Sequence, residues 1–184
     1  MITLNVANKK IHEIKADGYV FLCEQGKELT VEQRESCSNL SAHAEKFLEK
    51  AHFSGALGSF LIVNGIDNDR PVYLLFIGLG SLQCTKDERV ERYRRAIGQI
   101  IREAEKLKIT SLVMPFLHAH SYDLDDCDLA KETTIIFNMA SYHFNKYVTD
   151  VKRHYAKDYT ITLCAPEGHH DALRIGIEMG TRIG

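Results

Sequence analysis

The five consecutive residues Tyr73-Leu74-Leu75-Phe76-Ile77 carry no charge, and Pro71 and Gly78 bracket them. A run this short and this continuously apolar predicts a strand over Pro71 to Ile77 that is buried on both faces. Such a strand needs a covering layer on each side, which parallel sheets obtain from the helices of their crossovers. The glycine turn Gly78-Leu79-Gly80-Ser81 follows, and then the clearest helical pattern in the chain. From about Lys86 to Lys108, Val90, Tyr93, Ile97, Ile100, Ile101, Ala104 and Leu107 recur at spacings of three and four, forming one apolar face. Thr85 with Glu88 three residues later has the pattern of a capping box at its start.

The remaining segments extend this alternation. Ile2 to Val6 and Tyr19 to Cys23 read as strands, the second closed by the turn-prone Glu24-Gln25-Gly26-Lys27. A helical stretch is predicted within Val31 to Ala51, with Leu40, Ala44, Phe47, Leu48 and Ala51 on one stripe. Ser59 to Val63 and Pro71 to Ile77 are expected to form a hairpin joined by the turn-forming Asn64 to Asp69. Thr110 to Phe116 reads as a strand, about Asp125 to Val148 as a helix, Thr160 to Ala165 as a last strand, and Gly168 onward as a last helix. The fold class this predicts is α/β, a mixed, mostly parallel sheet flanked by helices. With three prolines and no Gly-, Pro- or Ser-rich stretch, residues 1–184 are expected to form a single domain.

Composition excludes several classes of function. The formal net charge of -2 supplies no general attraction to nucleic acid or to an anionic membrane. Val72 to Ile77 is the longest apolar stretch and far too short to span a bilayer. The five cysteines are odd in number, widely spaced and never in a C-x-x-C, so they read as reduced thiols of a cytoplasmic protein.

Few residues form patterns with chemical meaning. Gly78, Gly80 and Ser81 lie between a strand and a helix, where a glycine turn can cradle a phosphate. The third glycine of the dinucleotide fingerprint is missing, because Gln83 occupies its place. A strand exit needing positive φ or a close backbone approach accounts for the same glycines. His118, His120, Asp123, Asp125, Asp126, Cys127 and Asp128 are the densest group of metal-ligand types. Zinc sites usually draw ligand pairs from two elements, whereas a solvated loop with a helix cap explains a single acidic run. His169-His170 reads as a helix start. No G-x-S-x-G is present, and Cys23 and Cys164 fit small core residues. The helix bearing Arg92, Arg95 and Arg102 also carries Glu91, Glu103 and Glu105, the mixed charge of a solvated face. The three arginines could still share one side and form a local basic patch.

Several segments, in order, are similar to the N-terminal domain of the leucyl (cytosol) aminopeptidase family. They are Val72 to Gly80, Arg94-Arg95-Ala96-Ile97-Gly98, Ala140 to Tyr147, and Ala172 to Gly180. The resemblance covers the chain from about Ser59 onward and implies a macro-domain-like three-layer fold. It implies a non-catalytic N-terminal domain whose parent removes N-terminal residues from peptides. The two divalent ions of that parent, zinc or manganese, lie in a catalytic domain whose ligands this chain lacks. No catalytic residue, cofactor or metal is therefore expected here. The partners implied are the chain's own catalytic domain and further copies in a hexamer, which some bacterial members use to bind DNA. A second resemblance, of Leu61-Ile62-Val63-Asn64-Gly65 to ADP-ribose-binding macro domains, makes Asn64, Gly78, Gly80 and Ser81 the candidate small-molecule contacts. A DNA-binding regulatory domain resting on the three arginines is the third alternative. Thiol titration of the denatured, unreduced chain is expected to find five thiols; a stable internal disulfide would contradict the cytoplasmic expectation.

Overall fold

The computed structural model describes residues 1–116, 119–142 and 158–183. The strands are β1 (Ile2–Ala7), β2 (Gly18–Glu24), β3 (Phe60–Asp67), β4 (Arg70–Gly80), β5 (Ser111–Pro115) and β6 (Tyr159–Cys164). The helices are α1 (Val31–Leu40), α2 (Ala44–Lys50), α3 (Lys86–Leu107), α4 (Asp126–Ser141) and α5 (His170–Ile183). The strands form one sheet in the order β1-β6-β5-β2-β4-β3. Every neighbouring pair is parallel except β3 with β4. The sheet is thus mixed and mostly parallel with helices on both faces, as the apolar runs predicted.

Burial explains the layers. Alternate residues of β2 serve two separate cores. Val20 and Leu22 pack with Leu75, Ile77, Ile97 and Ile100 on the α3 and α4 side. Tyr19, Phe21 and Cys23 pack with Leu74, Phe76, Cys37 and Leu40 on the α1 side. Phe21 stacks on Phe76 with ring centroids 4.9 Å apart, and Phe53 meets Phe76 edge-on at 6.4 Å. On α3, Tyr93, Ile97 and Ile100 are fully buried, while Leu107 at the last turn is only partly covered. Helix α5 lies along α4 through Gly176 and Gly180, where a Cβ would run into the backbone of Cys127 and the side chain of Thr134. Two glycines one turn apart thus let the helices approach more closely than side chains would allow.

Three expectations are corrected. The hairpin turn is two residues long. Asn68 and Asp69 both have positive φ, 48° and 64°, which reverses the chain in the manner of a type I′ turn. Asn64 therefore lies inside β3, opposite Tyr73 and exposed, and not in the turn. The stretch Val31 to Ala51 is two helices separated at Ser41, whose backbone is extended. The end of α1 docks on β3, the Leu40 carbonyl oxygen lying 2.5 Å from where a Cβ on Gly65 would sit. The helix breaks at the extended Ser41, and beyond it Phe47 leaves the predicted stripe and is 53% exposed. Glu103, read as part of a solvated face, is only 3% exposed, with Gln99 and Lys106 donating to its carboxylate. Residues 143–148 of the predicted α4 helix lie outside the described residues.

Ile97→Asp is expected to place an unpaired charge between α3 and the sheet. The expected cost of several kcal/mol should appear as a collapse of the urea midpoint; a midpoint near the parent's would show that this helix face is wrongly assigned.

Candidate functional site

Strand β2 passes its chain to the α1 side of the sheet, while its neighbours β4 and β5 pass theirs to the α3 and α4 side. Where adjacent strands diverge in this way their carboxyl ends open a crevice, the usual ligand position in open α/β sheets. Here it is a cleft of about 260 Å³ lined by Glu24, Lys27, Leu29, Gln33, Leu82 and Tyr122 among others. A second hollow of about 390 Å³ lies beside it, between the β2–α1 loop and α2.

The polar groups of the cleft are largely engaged with one another. Lys27 Nζ sits 2.8 Å from a Glu24 carboxylate oxygen, and Arg34 pairs with Glu28 at 2.7 Å. The first amides of α1 have their own cap, because Gln33 N donates to Thr30 Oγ1 while Thr30 N donates to Gln33 Oε1. Gln33 Nε2 donates to the Leu22 carbonyl at 2.9 Å, which ties α1 to β2. Cys23 lines the cleft, but burial pushes its thiol up to about 12. At neutral pH that leaves roughly one thiolate in 10⁵, too few for a nucleophile. Tyr122 is 1% exposed, and among the described residues its hydroxyl has no hydrogen-bond partner. Burial first, then Tyr93 and Glu24, raise the Tyr122 phenol well above the usual tyrosine range.

The candidate phosphate turn has a packing role. Gly80 has φ of 73°, and its N–H donates to the Gly55 carbonyl at 2.9 Å. Gly78 N donates to the Ser59 carbonyl at 2.9 Å, and a Cβ on Gly78 would overlap the Ala56 carbonyl oxygen. The Ser81 carbonyl accepts from Arg92 Nη1. The segment 54–59 therefore occupies the space above the strand end that a phosphate would need. Asn64 lies on β3, away from that turn and at the sheet edge.

The acidic run is likewise engaged. Asp123 pairs with Arg89 at 2.7 Å, Asp125 caps α4 by accepting from Asp128 N at 2.7 Å, and Asp128 holds Lys131 at 3.0 Å. Asp126 accepts from His169, 43 residues away, a pairing the sequence did not suggest. His170 Nε2 bonds the Ala165 carbonyl at 2.8 Å. His118 and the side chain of His120 lie outside the described residues. Among the described residues no group of three His, Cys, Asp or Glu converges as a metal site would require. Arg92 is directed to Ser81, Arg95 pairs with Glu91, and Arg102 donates to Gln99, so the three arginines do not form one free patch.

A mixed sheet with β2 at its centre, one antiparallel edge and a crevice at the carboxyl ends defines an α/β domain of macrodomain type. A macrodomain mutant from Oceanobacillus iheyensis, solved with ADPR, superposes with a TM-score of 0.67 at 10% identity, covering 99% of this chain and 92% of that one. More specifically, residues 20–150 match the model of the cytosol aminopeptidase family, N-terminal domain, and the chain belongs to that family. The "Probable cytosol aminopeptidase" of Clostridium perfringens is 29% identical over 105 residues, 56% of this chain. The chain covers only 20% of that relative's length. A mutant of tomato leucine aminopeptidase superposes with a TM-score of 0.73 at 10% identity, over 96% of this chain and 35% of its own. No helix among the described residues is long and apolar enough to cross a membrane.

Gly78→Ala is expected to act on stability, because its new methyl group meets backbone. A cost of about 1–3 kcal/mol should show as a lowered Tm. An unchanged Tm would mean that the segment 54–59 does not sit against this strand end.

Proposed function

We propose that residues 1–184 form a single non-catalytic accessory domain of a metal-dependent leucyl aminopeptidase-like protein. In this reading the domain packs against its own catalytic domain and helps a homo-oligomer, a hexamer by family resemblance, to assemble in the cytoplasm. The parent removes N-terminal residues from peptides using two divalent ions, zinc or manganese, held outside this segment. The observation that carries this reading is the engagement of the acidic run. Two-metal amide hydrolysis needs carboxylates converging on two ions roughly 3.5–4 Å apart. Here Asp123, Asp125, Asp126 and Asp128 each have a different partner: Arg89 of α3, the Asp128 amide, His169 just before α5, and Lys131 of α4. The family match over residues 20–150 and the small share of its relatives that the chain covers point the same way.

The likeness to a macrodomain solved with ADPR favours a small-molecule reading as the runner-up. Against it stand the capped start of α1, the segment lying over Gly78, and the carboxylates of Glu24 and Glu28 in the cleft, all of which disfavour a diphosphate. Nucleic acid is disfavoured by the net charge of -2 and by the engaged arginines.

Purified as residues 1–184, the chain is expected to release no leucine from a chromogenic leucyl amide, with or without zinc or manganese. It should stay folded in chelator, since no group of three metal-ligating side chains converges among the described residues. Joining it to the catalytic domain of the same protein should yield both activity and higher-order assembly. Metal-dependent turnover by residues 1–184 that is lost on replacing Asp123 and Asp126 would overturn this reading. Saturable ADP-ribose binding at tens of micromolar, about 6 kcal/mol, would promote the runner-up.

A further inference from the structure

Strand β3 is an edge of the sheet, and among the described residues it lacks the devices that usually keep an edge unpaired. Its sequence, Phe60 to Asp67, contains no lysine, arginine or proline, and its register with β4 runs without a bulge. Asp67 is its one charge, and that carboxylate accepts from the Tyr19 hydroxyl at 3.2 Å and from Arg70 at 3.3 Å. At the opposite edge, β1 exposes the polar Thr3 and Asn5. Strand β3 exposes Phe60 at 43% and Ile66 at 62%.

The backbone direction of β3 follows from one bond. Gly78 N donates to the Ser59 carbonyl, so Ser59 and the odd-numbered residues after it direct their backbone groups toward β4. The backbone groups of Phe60, Ile62, Asn64 and Ile66 therefore point outward, and among the described residues nothing pairs with them. The same four residues share one side-chain face, the one on which Ile62 packs against the α3 core and Lys106 Nζ lies 5.4 Å from the Phe60 ring centroid.

We infer that this edge is a self-association surface on which a second copy of the chain adds its own β3 antiparallel, about a two-fold axis through Val63. That register sets Phe60 opposite Ile66 of the second copy, and Ile62 opposite Asn64. These residues are the ones with outward backbone groups, so each facing pair exchanges two backbone hydrogen bonds. Facing side chains come within about 5 Å at Cβ, so both exposed apolar residues of each strand become covered. Moving the axis to Ile62 leaves Ile66 without an apolar neighbour, and moving it to Asn64 strands Phe60; only the Val63 register covers both. The pairing joins two six-stranded sheets into one continuous sheet through an isologous contact, which closes on itself and does not propagate. As the means of the assembly role, the inference rests on the function proposed above.

Sedimentation velocity on residues 1–184 over a range of micromolar concentrations is expected to show a monomer–dimer equilibrium. Asn64→Pro removes only an outward N–H, so the fold should survive, as near-parental circular dichroism and Tm would confirm, while the dimer weakens by roughly tenfold or more. Phe60→Glu and Ile66→Lys should each weaken the dimer, and the double variant Phe60→Glu/Ile66→Lys should regain it, because opposite charges then face each other at both ends of the pair. A chain that stays monomeric throughout, or a dimer indifferent to Asn64→Pro, overturns the edge pairing. A double variant no better than the singles overturns the Val63 register. A monomeric chain without peptidase activity defeats the edge pairing and leaves the accessory-domain reading standing. A dimer that hydrolyses the leucyl amide does the reverse.

Discussion

Strands β2 and β4 have no face left for water, and the rest of the structure depends on that. Tyr19 to Cys23 and Leu74 to Ile77 are buried without interruption, so each strand contributes to two cores at once. A strand buried on both sides has no polar surface to offer and is stable only between two layers. Helices α1 and α2 supply one layer and α3 and α4 the other, and the stacked rings of Phe21 and Phe76 lie on the α1 side. Parallel pairing follows, because each crossover to the same end of the sheet deposits a helix on a face.

The same geometry opens a crevice at the carboxyl ends of β2, β4 and β5, yet the polar groups that line it are largely engaged with one another. Glycines at 78 and 80 are needed there because the segment 54–59 returns across the strand end, and its Gly55 and Ser59 carbonyls accept the hydrogen bonds that the Gly80 and Gly78 amides would otherwise offer a bound group. The acidic run after β5 is spent on one helix cap, two ion pairs and the hydrogen bond between His169 and Asp126. Chemistry in a fold of this kind belongs to specific convergent groups and not to the fold itself. At the β3 edge, backbone donors and acceptors without a partner among the described residues lie beside two exposed apolar side chains, a chemistry suited to another strand.

Much of the fold was legible in one dimension, and the failures have specific physical causes. The α3 stripe was readable because a helix 22 residues long repeats its apolar spacing many times, and the Thr85–Glu88 cap marks its start. The stripe proposed across Val31 to Ala51 failed because short helices repeat that spacing too few times to distinguish one helix from two. The hairpin turn was read too long because Asn64, Asp67, Asn68 and Asp69 are all turn formers by composition, whereas only Asn68 and Asp69 adopt the left-handed backbone. Glu103 could not be singled out among the charges of α3, since its burial depends on what the helix packs against. The Asp126–His169 pair joins residues 43 apart, and no local spacing rule connects them.

The sequence by itself determined the layers, the mixed and mostly parallel sheet, and the family, because continuous apolar runs, helical periodicity and ordered motifs are local properties of the chain. Only the tertiary structure decided the strand order, with β1 at an edge beside β6 and β2 at the centre. Only the tertiary structure decided that Gly78 and Gly80 face the chain's own backbone, that Asp123, Asp125, Asp126 and Asp128 each have a partner, and that β3 lies at an edge of the sheet. These are relations between residues far apart in sequence, set by which surfaces must be buried together, and no residue encodes them alone.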